Sequence, residues 1–353
     1  MRFSSFFIVS CGGSDGAEIH VSSPSKYVYV VNYDGSSISQ YKVAEDGSLN
    51  RLAPDVITPN NGPDDIAITP NNKFAYVSHV LSNSVSQYNI EENGVLSPML
   101  TAEIATDDYP TSIAIHPSGQ YVYVTNGGSN NISQYAIDVN GSLSPLSAPV
   151  AAGGDSPFYI ALDPSGTHAY VGNANSNDIS QFLIAADGTL SESLQPILSG
   201  NKPLSIAISS DDSTLYVVNN DDNNLSQFNI GPDGSLSNMS PFNVQTSSNP
   251  FSIIINPVND TVYVANISDA ISVYDISNGG KLAENSTVTA ANNSWPKSIV
   301  VDSSGKYVYA TNANSDEVSQ YIVNSDNSLS EMAISRISAG DYPSSIVLIE
   351  ISN

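Results

Sequence analysis

The sequence predicts an all-β fold, a seven-bladed β-propeller with four antiparallel strands per blade. Three residue series support this prediction, because each occurs seven times at intervals of 46 or 47 residues. The first series is Gln40, Gln87, Gln134, Gln181, Gln227, Val273 and Gln320. The second is Asn32, His79, Asn126, Asn173, Asn219, Asn266 and Asn312. The third is Pro63, Pro110, Pro157, Pro203, Pro250, Pro296 and Pro343. A fixed period of this length is typical of a solenoid, a propeller or an array.

Each repeat unit contains four short β-segments, which the third unit shows in order. The segment "SIAIH" is followed by a Pro-Ser-Gly turn, "YVYVTN" by "GGSN", and "ISQYAID" by Asn140-Gly141, and "LSPLSAPVAA" completes the unit. Asn-Gly and Asp-Gly between two strand patterns indicate hairpins, because both turn residues must tolerate positive φ. No segment has a helical period of useful length. Four strands in each of seven units describe a propeller, whose radial closure leaves only short protected edges.

The chain contains one first strand too many for a ring of seven. Residues 19–21 and residues 346–348 both align with the first strand of the third unit. The C-terminal copy keeps the full proline-led entry "PSSI", whereas the N-terminal copy has "GAE" instead. We therefore expect residues 344–350 to form the inner strand of the first blade, beside Tyr27–Val31, and residues 17–21 to lie outside the ring. This arrangement removes an open edge that invites aggregation.

The glutamine series is interpreted as structural, as part of the repeated β-scaffold that we call the frame. Both faces of a blade are covered by neighbouring blades, so a polar side chain there must find partners. An amide offers two donors and an acceptor, which suits pairing with the backbone of an adjacent blade. One unit has Val273 at this position, so the glutamine is not needed for chemistry. Function is expected where the units differ.

Composition and charge exclude some classes of partner. Lys and Arg total 10 against 35 Asp and Glu, for a formal net charge of −25. Nucleic-acid binding needs a basic stripe that neutralises phosphates, and anionic lipid surfaces attract basic segments, so neither is an expected partner. The acidic residues are spread along the chain, which is typical of a solvated surface. We expect a monomer.

The N-terminal segment resembles a bacterial lipoprotein signal. "MRFSSFFIVSCGGSDG" has one early arginine, a short apolar run, then Cys11 and a Gly/Ser linker. The apolar run is at the short end of the range for signal peptides. We expect residues 1–16 to be signal and linker, residues 17–353 to be the propeller, and Cys11 to be lipidated. This interpretation predicts a periplasmic or surface lipoprotein of the bacterial cell envelope, with membrane contact only through the lipid.

Candidate functional residues lie at one end of the propeller. Connections in a blade alternate between its two ends, so the ends of the second strands and the starts of the first strands share one end, which we call the top. Loops on a rigid frame commonly carry binding sites. The top-loop departures from the repeat consensus give candidate ligand-binding residues: Tyr109, Phe158, Tyr159, Lys202, Trp295, Lys297 and Tyr342. His79, Asp64 and Asp65 are the candidates for base and electrostatic roles.

The repeat resembles a known family. "AYVSH", "YVYVTN", "AYVGN", "LYVVN" and "VYVAN" resemble the YVTN-type propeller repeat. The "DGSLS" hairpins, with a proline-led "SIAI" entry, resemble the seven-bladed lactonases related to 6-phosphogluconolactonase. The resemblance covers residues 17–353 and implies ring opening by a base and an oxyanion-binding cation. It also implies a Gly-Pro-Arg-His entry and an Asn-Glu-Leu after a second strand. Here Asp64-Asp65 stand in place of Arg-His, and His79-Val80 in place of Asn-Glu.

Three interpretations remain open. The first is a non-enzymatic envelope propeller that binds or scaffolds a protein, glycan or small ligand at its top loops and channel mouth. The second is a lactonase-like hydrolase with an altered active site. The third is a cation-dependent binding module, since carboxylates can bind Ca²⁺ through oxygen. No metal motif with His or Cys spacing is present, so we expect no cofactor or metal.

Overall fold

The computed structural model describes residues 24–57, 60–277, 279–290 and 293–351. Cys11, the predicted signal and the strand-like residues 17–21 lie outside the described residues. Within those ranges the structure contains 29 β-strands and no helix. In chain order the strands are β1 Ser25–Asn32, β2 Ser37–Val43, β3 Leu49–Ile57, β4 Pro63–Ile68, β5 Phe74–His79, β6 Ser84–Ile90, β7 Leu96–Ala105, β8 Pro110–Ile115, β9 Tyr121–Asn126, β10 Asn131–Ile137, β11 Leu143–Pro145, β12 Val150–Ala151, β13 Pro157–Leu162, β14 His168–Asn173, β15 Asp178–Ile184, β16 Leu190–Leu198, β17 Pro203–Ile208, β18 Thr214–Asn219, β19 Asn224–Ile230, β20 Leu236–Gln245, β21 Pro250–Ile255, β22 Thr261–Asn266, β23 Ala270–Ile276, β24 Leu282–Thr289, β25 Pro296–Val301, β26 Tyr307–Asn312, β27 Glu317–Val323, β28 Leu329–Ser338 and β29 Pro343–Ile351.

The strands form seven antiparallel sheets, which are the seven blades, so the predicted fold class is confirmed. Blade 1 has the order β29-β1-β2-β3, and blades 2 to 7 follow in chain order from β4. The register of blade 1 pairs Tyr27 with Ile349 and Val31 with Ser345. The C-terminal strand therefore closes the ring beside β1, as the sequence predicted. In blade 3 the fourth strand is divided into β11 and β12, both paired with β10.

The hydrophobic core lies between the blades, because both faces of each second strand are covered. In β9, Val122, Tyr123 and Val124 are completely buried. Val122 and Val124 pack in one cluster with Tyr76 and Val85 of blade 2, whereas Tyr123 packs in another with Ile160 of blade 4. Alternate residues of a strand point to opposite faces, so one strand contributes to two inter-blade layers. This explains the near-continuous hydrophobic pattern of the second strands.

The glutamine series joins neighbouring blades, as the sequence predicted. Gln87 Oε1 accepts a 2.7 Å bond from Leu143 N of the next blade, and its Nε2 donates to Thr101 O of its own blade. Gln40, Gln134, Gln181, Gln227 and Gln320 accept equivalent bonds from the backbone of the next blade. Val273 has no such group, so the junction of blades 6 and 7 lacks this bond. The glutamine series is therefore structural.

A second inter-blade contact involves the hairpin glycines at the lower end. Tyr76 Oη donates a 2.6 Å bond to Gly141 O of the next blade, and Phe74 packs directly on Gly141. Gly141 has a φ of +85°, and a Cβ there would overlap the Phe74 ring. Gly279 has a φ of +82° but nothing within 4 Å of a Cβ. The two glycines thus share a backbone conformation and differ in packing.

We expect Gly141→Ala to destabilise the propeller more than Gly279→Ala. A left-handed alanine costs about 1–2 kcal/mol at either site. At Gly141 the added methyl also overpacks the blade junction, for about a further 1–3 kcal/mol. The measurement is the free energy of unfolding from denaturant titration of both variants. Equal losses of unfolding free energy would show that the Phe74 ring moves aside without an energetic cost.

Candidate functional site

A cavity of about 550 Å³ opens at the top of the central channel. Its wall contains one residue from the start of each inner strand of blades 2 to 7, directly after the proline. Together with Ser344 of blade 1, these residues form what we call the upper ring: Asp64, Thr111, Phe158, Leu204, Phe251, Lys297 and Ser344. A narrow extension of about 50 Å³ continues below the ring. The cavity is large enough for a small organic ligand.

The upper ring exists because each inner strand has a β-bulge at this position. In blade 2, Pro63 pairs with His79 and Asp65 pairs with Ser78, which leaves Asp64 out of the ladder. The same shift occurs in every other blade. A bulge bends its strand and redirects a side chain, and bulges are common next to active sites. The frame therefore turns the most variable first-strand position toward the channel.

Lys297 and Asp64 form an ion pair in the upper ring. Lys297 Nζ lies 3.2 Å from Asp64 Oδ1, and both side chains are largely buried, at 13% and 14% exposure. The ammonium also lies 5.2 Å from the Tyr342 ring centroid, 5.3 Å from that of Phe251 and 6.0 Å from that of Tyr33. Burial lowers the pKa of Lys297, but Asp64 and the tyrosines more than offset this and the pKa is raised overall. The site therefore holds a permanent cation.

Asp65 lies one level deeper, in what we call the lower ring, with Tyr159, Ser205, Ser252, Ser298 and Ser345, which line the extension, and Ser112, which bonds to Asp65. Its Oδ1 accepts bonds from Ser345 Oγ and Ile66 N, and its Oδ2 accepts bonds from Ser112 Oγ and Ile113 N. Burial raises the pKa of the Asp65 carboxyl. Because four donors saturate the carboxylate, Asp65 suits an electrostatic or structural role. Asp64 Oδ2, by contrast, has no protein donor within the described ranges.

The opposite side of the upper ring is apolar. Phe158 and Phe251 meet edge to face, with ring centroids 5.9 Å apart, although blade 5 lies between their blades. Leu204 of blade 5 is 2% exposed and completes the surface. We call Phe158, Leu204 and Phe251 the apolar sector. Ile267 adds to this side of the cavity.

The rim residues just before the prolines have a left-handed backbone in all seven blades: Gly62, Tyr109, Ser156, Lys202, Asn249, Trp295 and Tyr342. In six of these seven residues, Gly62 being the exception, the backbone N–H donates to the side chain of an Asn or Asp in the preceding blade. Asn83 Oδ1, for example, accepts a 3.0 Å bond from Tyr109 N, and Asp316 Oδ1 a 2.8 Å bond from Tyr342 N. Glycine fits this conformation without strain, whereas other residues cost about 1–2 kcal/mol. Bulky side chains kept at a strained position point to a function of the rim.

The structure brings most of the predicted residues together. Asp64, Tyr109, Phe158, Lys202, Lys297 and Tyr342 line the mouth cavity, and Asp65 and Tyr159 line its extension. Trp295 is 40% exposed on the rim and does not line the cavity. Lys202 is exposed, and its Nζ lies 3.6 Å from Asp221 Oδ1. Sequence reasoning missed Thr111, Leu204, Phe251 and Ser344, although their place directly after the proline series could have identified them.

His79 lies apart from the cavity. It is completely buried, and its Nε2 bonds to Ser86 Oγ at 2.7 Å. Asn126 bonds to Ser133 Oγ in the same way in the next blade, so His79 substitutes for the asparagine of the frame. Burial lowers the pKa of His79 to about 4, which keeps the imidazole neutral. This placement gives His79 no direct access to a ligand in the mouth.

Neither a metal cluster nor a membrane-spanning helix is found in the part of the chain that the structure describes. No three His, Cys, Asp or Glu side chains in these ranges come together as a set that could hold a metal ion. No helix in the same ranges is long and apolar enough to cross a bilayer.

Comparisons with known proteins give one family match and several solved structures of the same fold. The family model "Lactonase, 7-bladed beta-propeller" matches residues 51–159, 149–249 and 235–344. A candidate 6-phosphogluconolactonase of Bacteroides uniformis superposes with a TM-score of 0.82 at 16% identity, over 93% of this chain and 100% of that one. The periplasmic gluconolactonase of Pseudomonas aeruginosa superposes with a TM-score of 0.77 at 15% identity, over 93% and 99% of the two chains. At these identities the likeness of structures shows the fold. No curated protein sequence matches the chain.

Proposed function

The chain belongs to the lactonase family of seven-bladed β-propellers, and from this premise we propose that it is a lactonase-type hydrolase acting on a small lactone in the mouth cavity. The observation that carries the proposal is the Lys297–Asp64 pair, a cation and a carboxylate 3.2 Å apart in the upper ring. The family match favours this interpretation over the purely binding one. Ring opening needs a base and an oxyanion-stabilising cation, and the pair contains one of each.

The proposed reaction is addition of water to the lactone carbonyl. Asp64 Oδ2 accepts a proton from the attacking water as its oxygen bonds to the carbonyl carbon. The ammonium of Lys297 stabilises the oxyanion that develops on the carbonyl oxygen. The ring C–O bond then breaks, and the proton passes to the ring oxygen, which becomes the hydroxyl of the hydroxy acid. The four donors to Asp65 favour its carboxylate form, and in that form Asp65 disfavours a substrate with an anionic group pointing down the channel.

The altered site makes phosphorylated lactones poor substrates. Arg51 and Arg336, the arginines of the described residues, lie on the outer strands β3 and β28. The Lys297–Asp64 pair has no net charge until Asp64 takes the proton of the attacking water, so it gives a phosphate group of the bound substrate little attraction. The exposed Lys202 lies 3.6 Å from a second carboxylate, that of Asp221. We therefore expect 6-phosphogluconolactone to be hydrolysed at a rate near the uncatalysed background.

The test is a titrimetric assay of δ-valerolactone hydrolysis with the purified propeller. We expect wild-type turnover above background, and a loss of about 10²–10⁴-fold in kcat for Asp64→Asn, since the base is removed. Asp341→Asn is the matched control, because Asp341 is an exposed carboxylate of the top loops that does not line the cavity. Equal activity of wild type and Asp64→Asn would show that Asp64 is not the base.

The second candidate is a binding protein that uses the same mouth without catalysis. It is favoured by the strained rim, where Tyr109, Trp295 and Tyr342 keep bulky side chains in a left-handed conformation. Saturable ligand binding together with hydrolysis at background for every lactone would select this candidate.

A further inference from the structure

We propose that the mouth selects an uncharged lactone with an alkyl or aryl substituent, with the lactone carbonyl at Lys297–Asp64 and the substituent on the apolar sector. This inference rests on the proposed function and defines its substrate class.

The upper ring has a polar part and an apolar part, which adjoin where the Lys297 ammonium lies 5.3 Å from the Phe251 ring centroid. Blades 7, 1 and 2 contribute Lys297, Ser344 and Asp64, which are polar or charged. Blades 4, 5 and 6 contribute the apolar sector. The contact between Phe158 and Phe251 across blade 5 makes this part a continuous surface. A ligand that fills the cavity therefore meets charge at one end and hydrocarbon at the other.

Two buried polar side chains beside the apolar sector bond to the backbone of a neighbouring blade. Thr111 Oγ1 donates a 3.0 Å bond to Pro157 O, and Asn220 Nδ2 donates a 2.8 Å bond to Pro250 O. Both side chains are buried, at 6% and 5% exposure. Their donors are directed at the backbone of the next blade, so they offer no free N–H or O–H to a substrate hydroxyl. The other polar group on this side, the exposed Lys202 ammonium, lies 3.6 Å from Asp221 Oδ1.

Burial energetics then separate two kinds of lactone. Each methylene buried against the apolar sector contributes about 0.8 kcal/mol, which is roughly a fourfold gain in kcat/KM. A hydroxyl buried without a partner lowers kcat/KM by roughly 5- to 150-fold, the equivalent of about 1–3 kcal/mol. In a polyhydroxylated lactone of the same size, each hydroxyl that faces Phe158, Leu204 or Phe251 therefore lowers kcat/KM.

The experiment compares δ-valerolactone, δ-hexalactone and δ-octalactone with glucono-δ-lactone. We expect kcat/KM to rise about fourfold per methylene until the cavity is filled, and glucono-δ-lactone to be at least about tenfold poorer than δ-valerolactone. Phe158→Asn is expected to reduce the gain per methylene to less than about twofold, whereas Phe158→Leu keeps it. Melting curves confirm that both variants are folded. A flat series, or a preference for glucono-δ-lactone, would overturn the inference and leave the hydrolase proposal standing.

Binding of 3-alkylcyclohexanones, measured by calorimetry, separates this inference from the proposed function. These ketones have the shape of the lactones but no ester bond to hydrolyse. Affinity that rises with alkyl length, without hydrolysis of any lactone, would show that the apolar sector selects ligands and that the hydrolase proposal is wrong. Affinity independent of alkyl length, with no hydrolysis, would overturn both.

Discussion

Deletion of residues 343–353 is expected to abolish folding, because it removes the strand that closes the ring. β29 pairs with β1 along its length, from Ser25–Ile351 to Asn32–Pro343. Its Ile346 packs in a cluster with β26 and β27 of blade 7, and its Ile349 in a cluster with blade 2. Each buried isoleucine lost costs about 2–5 kcal/mol, and an open ladder edge is added. The combined loss from both isoleucines approaches the whole free energy of unfolding of a typical domain, about 5–15 kcal/mol.

Two controls show that closure, and not chain length, is responsible. Deletion of residues 1–21 is expected to leave a cooperatively folding protein, because the C-terminal strand already occupies the inner position of blade 1. A circular permutant that begins at Gly340 and joins Ile351 to Ser25 by a short turn should also fold, since these two residues are paired neighbours. The measurements are soluble yield and circular dichroism melting. A folded C-terminal deletion beside an unfolded N-terminal one would show that residues 17–21 close the ring.

Replacement of Lys297 by methionine is expected to lower kcat by about 10²–10³-fold, the usual cost of losing an oxyanion-stabilising group. Methionine keeps an unbranched, flexible side chain among Tyr33, Phe251 and Tyr342 but removes the charge. It also leaves Asp64 largely buried without its cation, so we expect a loss of stability of about 1–3 kcal/mol. Steady-state kinetics on δ-valerolactone and denaturant titration measure the two effects separately.

The double variant Asp64→Asn, Lys297→Met separates catalysis from stability. A neutral asparagine needs no cation, so most of the lost stability should return while activity stays low. Lys306→Met is the matched control for charge, because Lys306 is an exposed lysine at the lower end of blade 7, before β26. It should change kcat by less than about twofold. Recovery of activity in the double variant would exclude Lys297 from oxyanion stabilisation.

Family membership changes the balance among the three interpretations that the sequence left open. The sequence favoured a non-enzymatic binding propeller, because the Arg-His entry implied by the resemblance is replaced by Asp64-Asp65. The family match supports the hydrolase alternative better. The structure adds that Lys297, which comes from a blade distant in sequence, provides a cation next to Asp64.

The sequence by itself determined the frame. The period of 46 or 47 residues specified seven blades. The β-branched and aromatic residues of "YVYVTN" specified strands, and the proline-led entry at Pro343 specified the closing strand. Gln87 and its equivalents could be assigned to inter-blade bonds, because any buried amide needs a partner and the neighbouring backbone repeats with the same period. These features are local or periodic, so they can be read along the chain without knowledge of its tertiary contacts.

Only the tertiary structure decided the site. Asp64 and Lys297 are 233 residues apart and meet because the ring closes. Phe158 and Phe251 touch across an intervening blade, which no pattern within a unit predicts. His79 and Asp64 looked equivalent as departures from the repeat, but the ladder buries the first and a bulge turns the second into the channel. The physical reason is that a bulge and a ring closure set side-chain direction in three dimensions, whereas a repeat records only position along the chain.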